Sequence, residues 1–297
     1  MYRKGQNLRC FINGSVVMSE TNLTVTRGVD TEDASNKDLA PDSTAEGVGG
    51  QIPVPVYKNM TFQVEAQGAG GKDLFEKCLA LMNSTGGVIA FAQTNGTNNR
   101  TGTPSTAYQA ICNDLTINAP NRQPITCTAQ FTVIGTTTYS AGTAPAVETT
   151  PVKRGEFLRL FIGTSTATDP IALATSCSLH VSLSLEDATT KDTTSTAALG
   201  YKSQEATMLS YDISSDTLYG GNSGAQDING LAEGTKYKWA LCDASGDHQW
   251  TQGSALVSGE AILTSLGTNA ATGQNITHNG SFTGVGLFDE AESSSEP

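Results

Sequence analysis

The chain has 297 residues, of which 15% are charged, and a formal net charge of −12. That length accommodates two domains of ordinary size with real cores. The charge excludes a nucleic-acid grip, which needs clustered lysine and arginine, and the acid is uneven: residues 1–140 carry 10 Lys+Arg against 11 Asp+Glu, residues 153–297 carry 7 against 17.

In chain order, the first extended run is LRCFINGS at 8–15. LRLFIGTS at 158–165 repeats it at an offset of 150. The next run, from Asn22 to Val29, places Leu23, Val25 and Val29 opposite Thr24 and Thr26. Its counterpart from Ser176 alternates more strictly: Cys177, Leu179, Val181, Leu183 and Leu185 lie against Ser178, His180, Ser182 and Ser184. Such alternation predicts half-buried strands. Both runs lead into a shared motif, Glu32-Asp33-Ala with Lys37-Asp38, and Glu186-Asp187-Ala with Lys191-Asp192. The proline- and glycine-rich 39–56 and the shorter 193–203 then read as long arms.

Strands are expected to resume at Met60 and at Leu209, with Phe62 and Val64 matched to Tyr211 and Ile213. Gln63, Glu65, Ser210 and Asp212 fall on the polar side. One helix is expected from Asp73 to Met82. Asp73 is placed as its N-cap with Glu76 three residues on, and Leu74, Cys78, Leu81 and Met82 share a face. The matching stretch 225–234 is interrupted by Gly230 and predicts one or two turns at most. Strands follow at Val88 and Tyr237, then loops at 93–109 and 243–253.

The strongest internal match comes last. Laid on 110–135 without gaps, residues 261–286 agree at 11 of 26 positions, where average composition gives about two. The shared residues include Leu115/Leu266, Asn118/Asn269, Phe131/Phe282 and Gly135/Gly286. Both segments read as closing strands, one face apolar and the other rich in hydroxyls and amides. The chain therefore divides into a β domain at 1–140, a linker at 141–152, a second copy at 153–290 and an acidic tail at 291–297. The fold class is mainly β: two tandem sandwiches or partly open barrels, each with a short flanking helix and a long arm.

Little in the sequence points to bond-making chemistry. The three histidines lack metal-ligand spacing, and no nucleophile elbow is present. Gly68-Ala-Gly-Gly-Lys-Asp departs from a phosphate loop and leads into the helix instead. Asp243-Ala-Ser-Gly-Asp-His reads as a polar turn. No catalytic, cofactor or metal residue is assigned, and the chain is not read as an enzyme. The six cysteines form no CxxC pair and sit in apolar runs, as buried thiols of a protein made in a reducing cytosol do. The N-terminus lacks the apolar core of a signal peptide, and no run is long enough for a membrane-spanning helix.

Two passages carry a family resemblance. One is Ala270-x-x-x-Gln274-x-x-Thr277 with the strand Ser281-Phe-Thr-Gly-Val-Gly. The other is Ala174-Thr-Ser-Cys-Ser-Leu-His-Val-Ser with Lys191-Asp and Ser210-Tyr-Asp-Ile-Ser. Together they resemble the tail tube (major tail) proteins of tailed bacteriophages. The resemblance covers about 155–288 best, and the first half shares it through the repeat.

It implies a virion subunit, assembled in the host bacterial cytoplasm, that stacks in rings around a channel for genomic DNA. Its partners would be copies of itself and other tail proteins: tape measure, terminator, baseplate or tip. It would involve no membrane and no cofactor. The arms, from Glu32, Asp33, Lys37 and Asp38 and from Glu186, Asp187, Lys191 and Asp192, would touch the neighbouring ring. Thr24, Thr26, Gln63, Glu65, Ser178, His180, Ser182, Ser210 and Asp212 would face the lumen. If single-domain relatives close with six copies, two copies per chain imply three chains per ring. The alternatives are a two-domain extracellular adhesin or carbohydrate-binding protein, with Trp239 or Trp250 exposed for stacking, and a virion decoration protein.

Overall fold

A computed structural model describes residues 5–33, 53–82, 84, 86–94, 102–142, 154–189, 200–220, 225–245 and 251–290. These residues are mainly β, with one large, unclosed antiparallel sheet and a single α-helix among them. The first half supplies β1 (Leu8–Ile12), β2 (Ser15–Val16), β3 (Glu20–Asp33), β4 (Pro53–Gln67), helix α1 (Gly68–Met82), β5 (Gly87–Gln93), β6 (Ala107–Pro120) and β7 (Thr126–Thr137). The second supplies β8 (Leu158–Gly163), β9 (Asp169–Pro170), β10 (Ala174–Asp187), β11 (Gln204–Leu218), β12 (Lys236–Ser245), β13 (Thr251–Asn269) and β14 (Thr277–Glu290).

The pairing diagram of one half recurs in the other. The first runs β3-β4-β7-β6-β5-β1-β2, and the second runs β10-β11-β14-β13-β12-β8-β9. β6 joins them by pairing with β10, from Ser176↔Pro120 to Ser182↔Asp114. Registers recur as well. Phe62 faces Phe131, and Ile213 faces Phe282. The β3–β4 ladder slips between Glu20 and Asn22 and between Asp30 and Thr31, and the β10–β11 ladder between Ala174 and Ser176 and between Ser184 and Leu185. Each slip lies at the same place in its half. The register corrects one sequence match: Phe62 corresponds to Ile213, not to Tyr211. Period-two alternation is unchanged by a slip of two residues, so the pattern alone could not separate the two.

Each half curls over its own core. β4 and β5 are separated by two strands in the sheet, yet the rings of Phe62 and Phe91 lie 5.8 Å apart. In the second half Tyr211 of β11 and Trp239 of β12 stand 5.5 Å apart in the same way. Buried side chains from both halves form one continuous apolar cluster, so the β6–β10 junction is packed as well as hydrogen-bonded. A Lys72 Nζ–Asp243 Oδ2 ion pair at 2.6 Å also ties α1 to β12.

Helix α1 covers β4, β6 and β7 with Leu74, Phe75, Cys78, Leu79, Leu81 and Met82, all buried. It begins at Gly68, five residues before the expected start. Gly68 has φ +63°, and its N–H donates to the Ile125 carbonyl at 2.7 Å. A Cβ on Gly70 would lie 2.3 Å from the Met18 carbonyl oxygen. The glycines therefore let the first turn press onto the sheet, and Asp73 is an interior residue bonded to Lys77 at 2.8 Å. In the place of α1, the described residues of the second half form a 3-10 turn at Ile228–Gly230, as Gly230 implied.

The strands are longer than the sequence suggests. β4 starts at Pro53 and β11 at Gln204, so the bases of both arms are sheet. Prolines 53 and 55 are tolerated because β7 pairs with β4 only from Thr61 onward, which leaves them on an unpaired edge. Residues 138–142 lie against the β1–β2 turn: Tyr139 Oη and Gly142 N both donate to the Gly14 carbonyl, at 3.2 and 3.0 Å. Most of the expected linker and all of 291–297 fall outside the described residues.

Candidate functional site: the polar face of the sheet

Alternation sorts the central strands into two faces. On β10, Cys177, Leu179, Val181 and Leu183 are buried, while Ser178, His180 and Ser182 point the other way. On β4, Phe62, Val64 and Ala66 are buried, Gln63 is exposed and Glu65 half-buried. Thr24 and Thr26 of β3 are exposed opposite Gln63 and Thr61, and Ser210 and Asp212 of β11 are exposed opposite Ser182 and His180.

Strand pairing makes these residues one band. It crosses β3, β4, β7, β6, β10, β11, β14 and β13 in that order. Gln63 faces Gln130, and Glu65 faces Thr128. At the junction of the halves, Ser178 faces Asn118 and His180 faces Thr116. Hydrogen bonds run across the strands. Ser178 and Ser214 hydroxyls meet at 2.6 Å, and Ser182 and Ser210 at 2.8 Å. Thr283 Oγ1 donates to Asp212 Oδ1 at 2.9 Å, and His180 Nε2 lies 2.9 Å from Asp114 Oδ2. All nine residues expected on the lumen side therefore share this face.

The band is also selective in charge. Its outward positions on the strands from β3 through β13 are mostly Ser, Thr, Asn and Gln, with acids that include Asp30, Glu65, Asp114, Asp212, Asp216 and Glu260, and no lysine or arginine; cations reach this face only at its margins, Lys202 beside Asp30 and Lys236 and Lys238 of β12 beside Glu260. Arg27, on β3, lies on the opposite side of the strand, exposed, its guanidinium 5.3 Å from the Phe91 ring centre. Asp114 was not singled out in the sequence. Only the β6–β10 register brings it to His180.

The expected arm residues are brought to equivalent places. Glu32 and Asp33 end β3, and Glu186 and Asp187 end β10, all exposed. Asp187 is held below the usual carboxylate range by the Thr189 hydroxyl and then by its backbone N–H. Asp30 is lowered by hydrogen bonds from Lys202 and Asn59, the Lys202 ammonium lying 3.1 Å away. With the Lys58 N–H donating to Gly200 at 2.9 Å, this lays the base of the second arm on the first half. Lys37, Asp38, Lys191 and Asp192 lie outside the described residues.

All six cysteines are buried, and burial pushes the Cys10, Cys78 and Cys127 thiols well up and Cys177 to about 12. Buried Glu20 accepts from Arg9 Nε at 3.2 Å and from the Cys10 N–H at 2.9 Å. Its carboxyl is nevertheless raised to about 7, because burial outweighs both bonds. Trp239 is buried, which overturns its expected availability for sugar stacking. Trp250 lies outside the described residues. Among the described residues, no helix is long and apolar enough to cross a membrane.

Comparison of the chain with protein-family models and with curated proteins finds no match.

Proposed function

We propose that this chain is the subunit of a phage-type tail tube: a structural virion protein that polymerises into stacked rings around a channel for DNA. One observation carries the reading. The polar band runs unbroken across eight strands and both halves, and it bears hydroxyls, amides and acids but no lysine or arginine. A polyanion is held by phosphate contacts from cationic side chains. A wall without them at its outward strand positions, and lined with acids, lets a duplex slide past.

The recurring strand diagram supports the origin of the two halves by duplication, hence three chains per ring with pseudo-six-fold symmetry. The arms, extended as strands at their bases, would reach the next ring. Other tail proteins would cap the tube at its ends.

The test is electron microscopy of the purified chain. Hollow tubes built of three-chain rings, with Thr24, Gln63, Ser178 and Asp212 facing the lumen, are the expected result. Six chains per ring would refute the duplication arithmetic, and a soluble monomer at high concentration would refute the tube.

A further inference from the structure

The sheet has two bare edges that fit each other. β3 pairs only with β4 among the described residues, so its other edge is free along Asn22–Gly28. β13 is covered by β12 only as far as Ile262. Beyond two bonds between Leu263 and the 234–235 turn, its outer edge has no strand partner among the described residues from Ser265 onward.

The interior of the chain holds the same two edges already joined. β10 stands in its half where β3 stands in the first. β6 stands where β13 stands in the second. Asn22–Gly28 corresponds to Ser176–Ser182, through Val25↔Phe62 and Leu179↔Ile213. Residues 265–271 correspond to 114–120.

Burial shows what the free edges lack. At the joined edge Cys177 and Leu179 are buried, while their counterparts Leu23 and Val25 are half-exposed. Likewise Leu115, Ile117 and Ala119 are buried, but Leu266 is half-exposed and Thr268 and Ala270 are exposed. Asn22–Gly28 holds no proline, and its one cation, Arg27, is exposed on the core-side face beside Phe91 and leaves the polar face of the edge uncharged.

We infer that β3 of one chain adds to β13 of a second copy in the register of the internal junction. Thr24 would face Asn269 as Ser178 faces Asn118, and Thr26 would face Gly267 as His180 faces Thr116. The contact is heterologous, each chain giving one edge and receiving the other. Repetition therefore makes a closed ring or an open helix, and no symmetric dimer. The polar band continues across the contact without a break.

This inference deepens the polymer reading above and rests on it for a partner, yet the two fail separately. The test is disulfide trapping at exposed positions. In antiparallel sheets, residues directly opposite have Cα atoms about 4.5–5.5 Å apart, within disulfide range, and the six native thiols are buried. Thr24→Cys/Asn269→Cys should give a ladder of covalent oligomers on non-reducing gels. A mixture of the two single variants should give a cross-linked dimer and stop there. Ser178→Cys/Asn118→Cys should close within one chain and calibrates the geometry.

Thr24→Cys alone forming the main dimer would overturn the inference, as would assembled protein without the Thr24–Asn269 cross-link. Tubes without the cross-link refute the edge pairing and leave the tube. Cross-linked rings that never stack refute the tube and leave the pairing. A chain that stays monomeric at high concentration refutes both.

Discussion

Phe282 and Phe131 hold equivalent places, and truncating each tests whether the halves unfold as one body. Phe282 is buried between Ile213 of β11 and Leu263 of β13. Its neighbours along the core face are Gly280 and Gly284. The space a Cβ would take at these glycines is already filled, by Ile228 at 2.5 Å and by the Tyr211 ring at 2.4 Å. No side chain on the strand can move into the hole left by the ring, so Phe282→Ala should cost toward the top of the usual range, about 4–5 kcal/mol. Phe131 is flanked by Ala129 and Val133, which permit some collapse, so Phe131→Ala should cost about 3 kcal/mol. With a urea slope of roughly 3 kcal/mol per molar, the midpoints should fall by about 1.5 M and about 1 M.

Both tryptophans, Trp239 and Trp250, belong to the second half. Their fluorescence therefore reads that half, and far-UV circular dichroism reads the whole chain. The continuous core and the β6–β10 ladder predict that Phe131→Ala shifts the fluorescence transition as far as the dichroism transition. A fluorescence midpoint unmoved by Phe131→Ala would show that the halves unfold independently, and would refute the shared core as a source of cooperativity.

Other consequences are open to direct measurement. Glu20 binds its proton more tightly when folded, since burial lifts its carboxyl from 4.5 to about 7. Its contribution to stability is therefore complete below pH 4.5 and lost as pH rises through 7, about 3 kcal/mol in all. Glu20→Gln should flatten that part of the urea-midpoint profile between pH 5 and 8, and an unchanged slope would count against the assignment. The six thiols should resist an aromatic disulfide reagent at pH 8 in the native protein and all react in denaturant; fast native labelling would contradict their burial. Gly284→Ala should destabilise by about 2–3 kcal/mol. Its Cβ would meet a Tyr211 ring pinned by a 2.6 Å bond from its hydroxyl to the Glu260 carbonyl and by Trp239 and Phe288. A thermal midpoint within a degree of the parent would show that the ring can yield.

Much of the fold was legible because the strands of one half could be read against those of the other. The alternation of Cys177, Leu179, Val181 and Leu183 located β10 and its faces. The hairpin of β6 and β7 follows from 110–135. Three things were not legible. The start of α1 depends on Gly70 meeting the Met18 carbonyl, a contact between segments far apart in sequence. The length of β4 depends on which edge its prolines occupy, which composition does not record. The pairing of Phe62 depends on register, to which a period of two is blind. The polar band was legible residue by residue but not as a band, because continuity through His180 and Asp114 requires β6 to meet β10.

That continuity separates folding from function. A solvated sheet face needs polar side chains, and threonine suits a strand by propensity. Folding does not forbid lysine there: opposite-charge pairs across strands are stabilising, and Glu65, Asp114, Asp212 and Asp216 would each welcome one. The chain does place lysines elsewhere on its sheet, as with Lys236 and Lys238 on β12, which hold Glu260 at 3.1 and 2.5 Å. Cations are thus used for cross-strand pairing at the margin of the band, where β12 meets Glu260 of β13, and withheld from the outward positions of β3 through β13. Placing one there separates the two requirements. Thr26→Lys on the exposed end of the band should leave the thermal midpoint within a degree or two, since an exposed polar exchange typically shifts stability by no more than about 0.5 kcal/mol. It should at the same time give the assembled face a measurable, salt-sensitive affinity for duplex DNA that the parent lacks. A variant that assembles normally and still ignores DNA at low salt would show that the band does not line the channel.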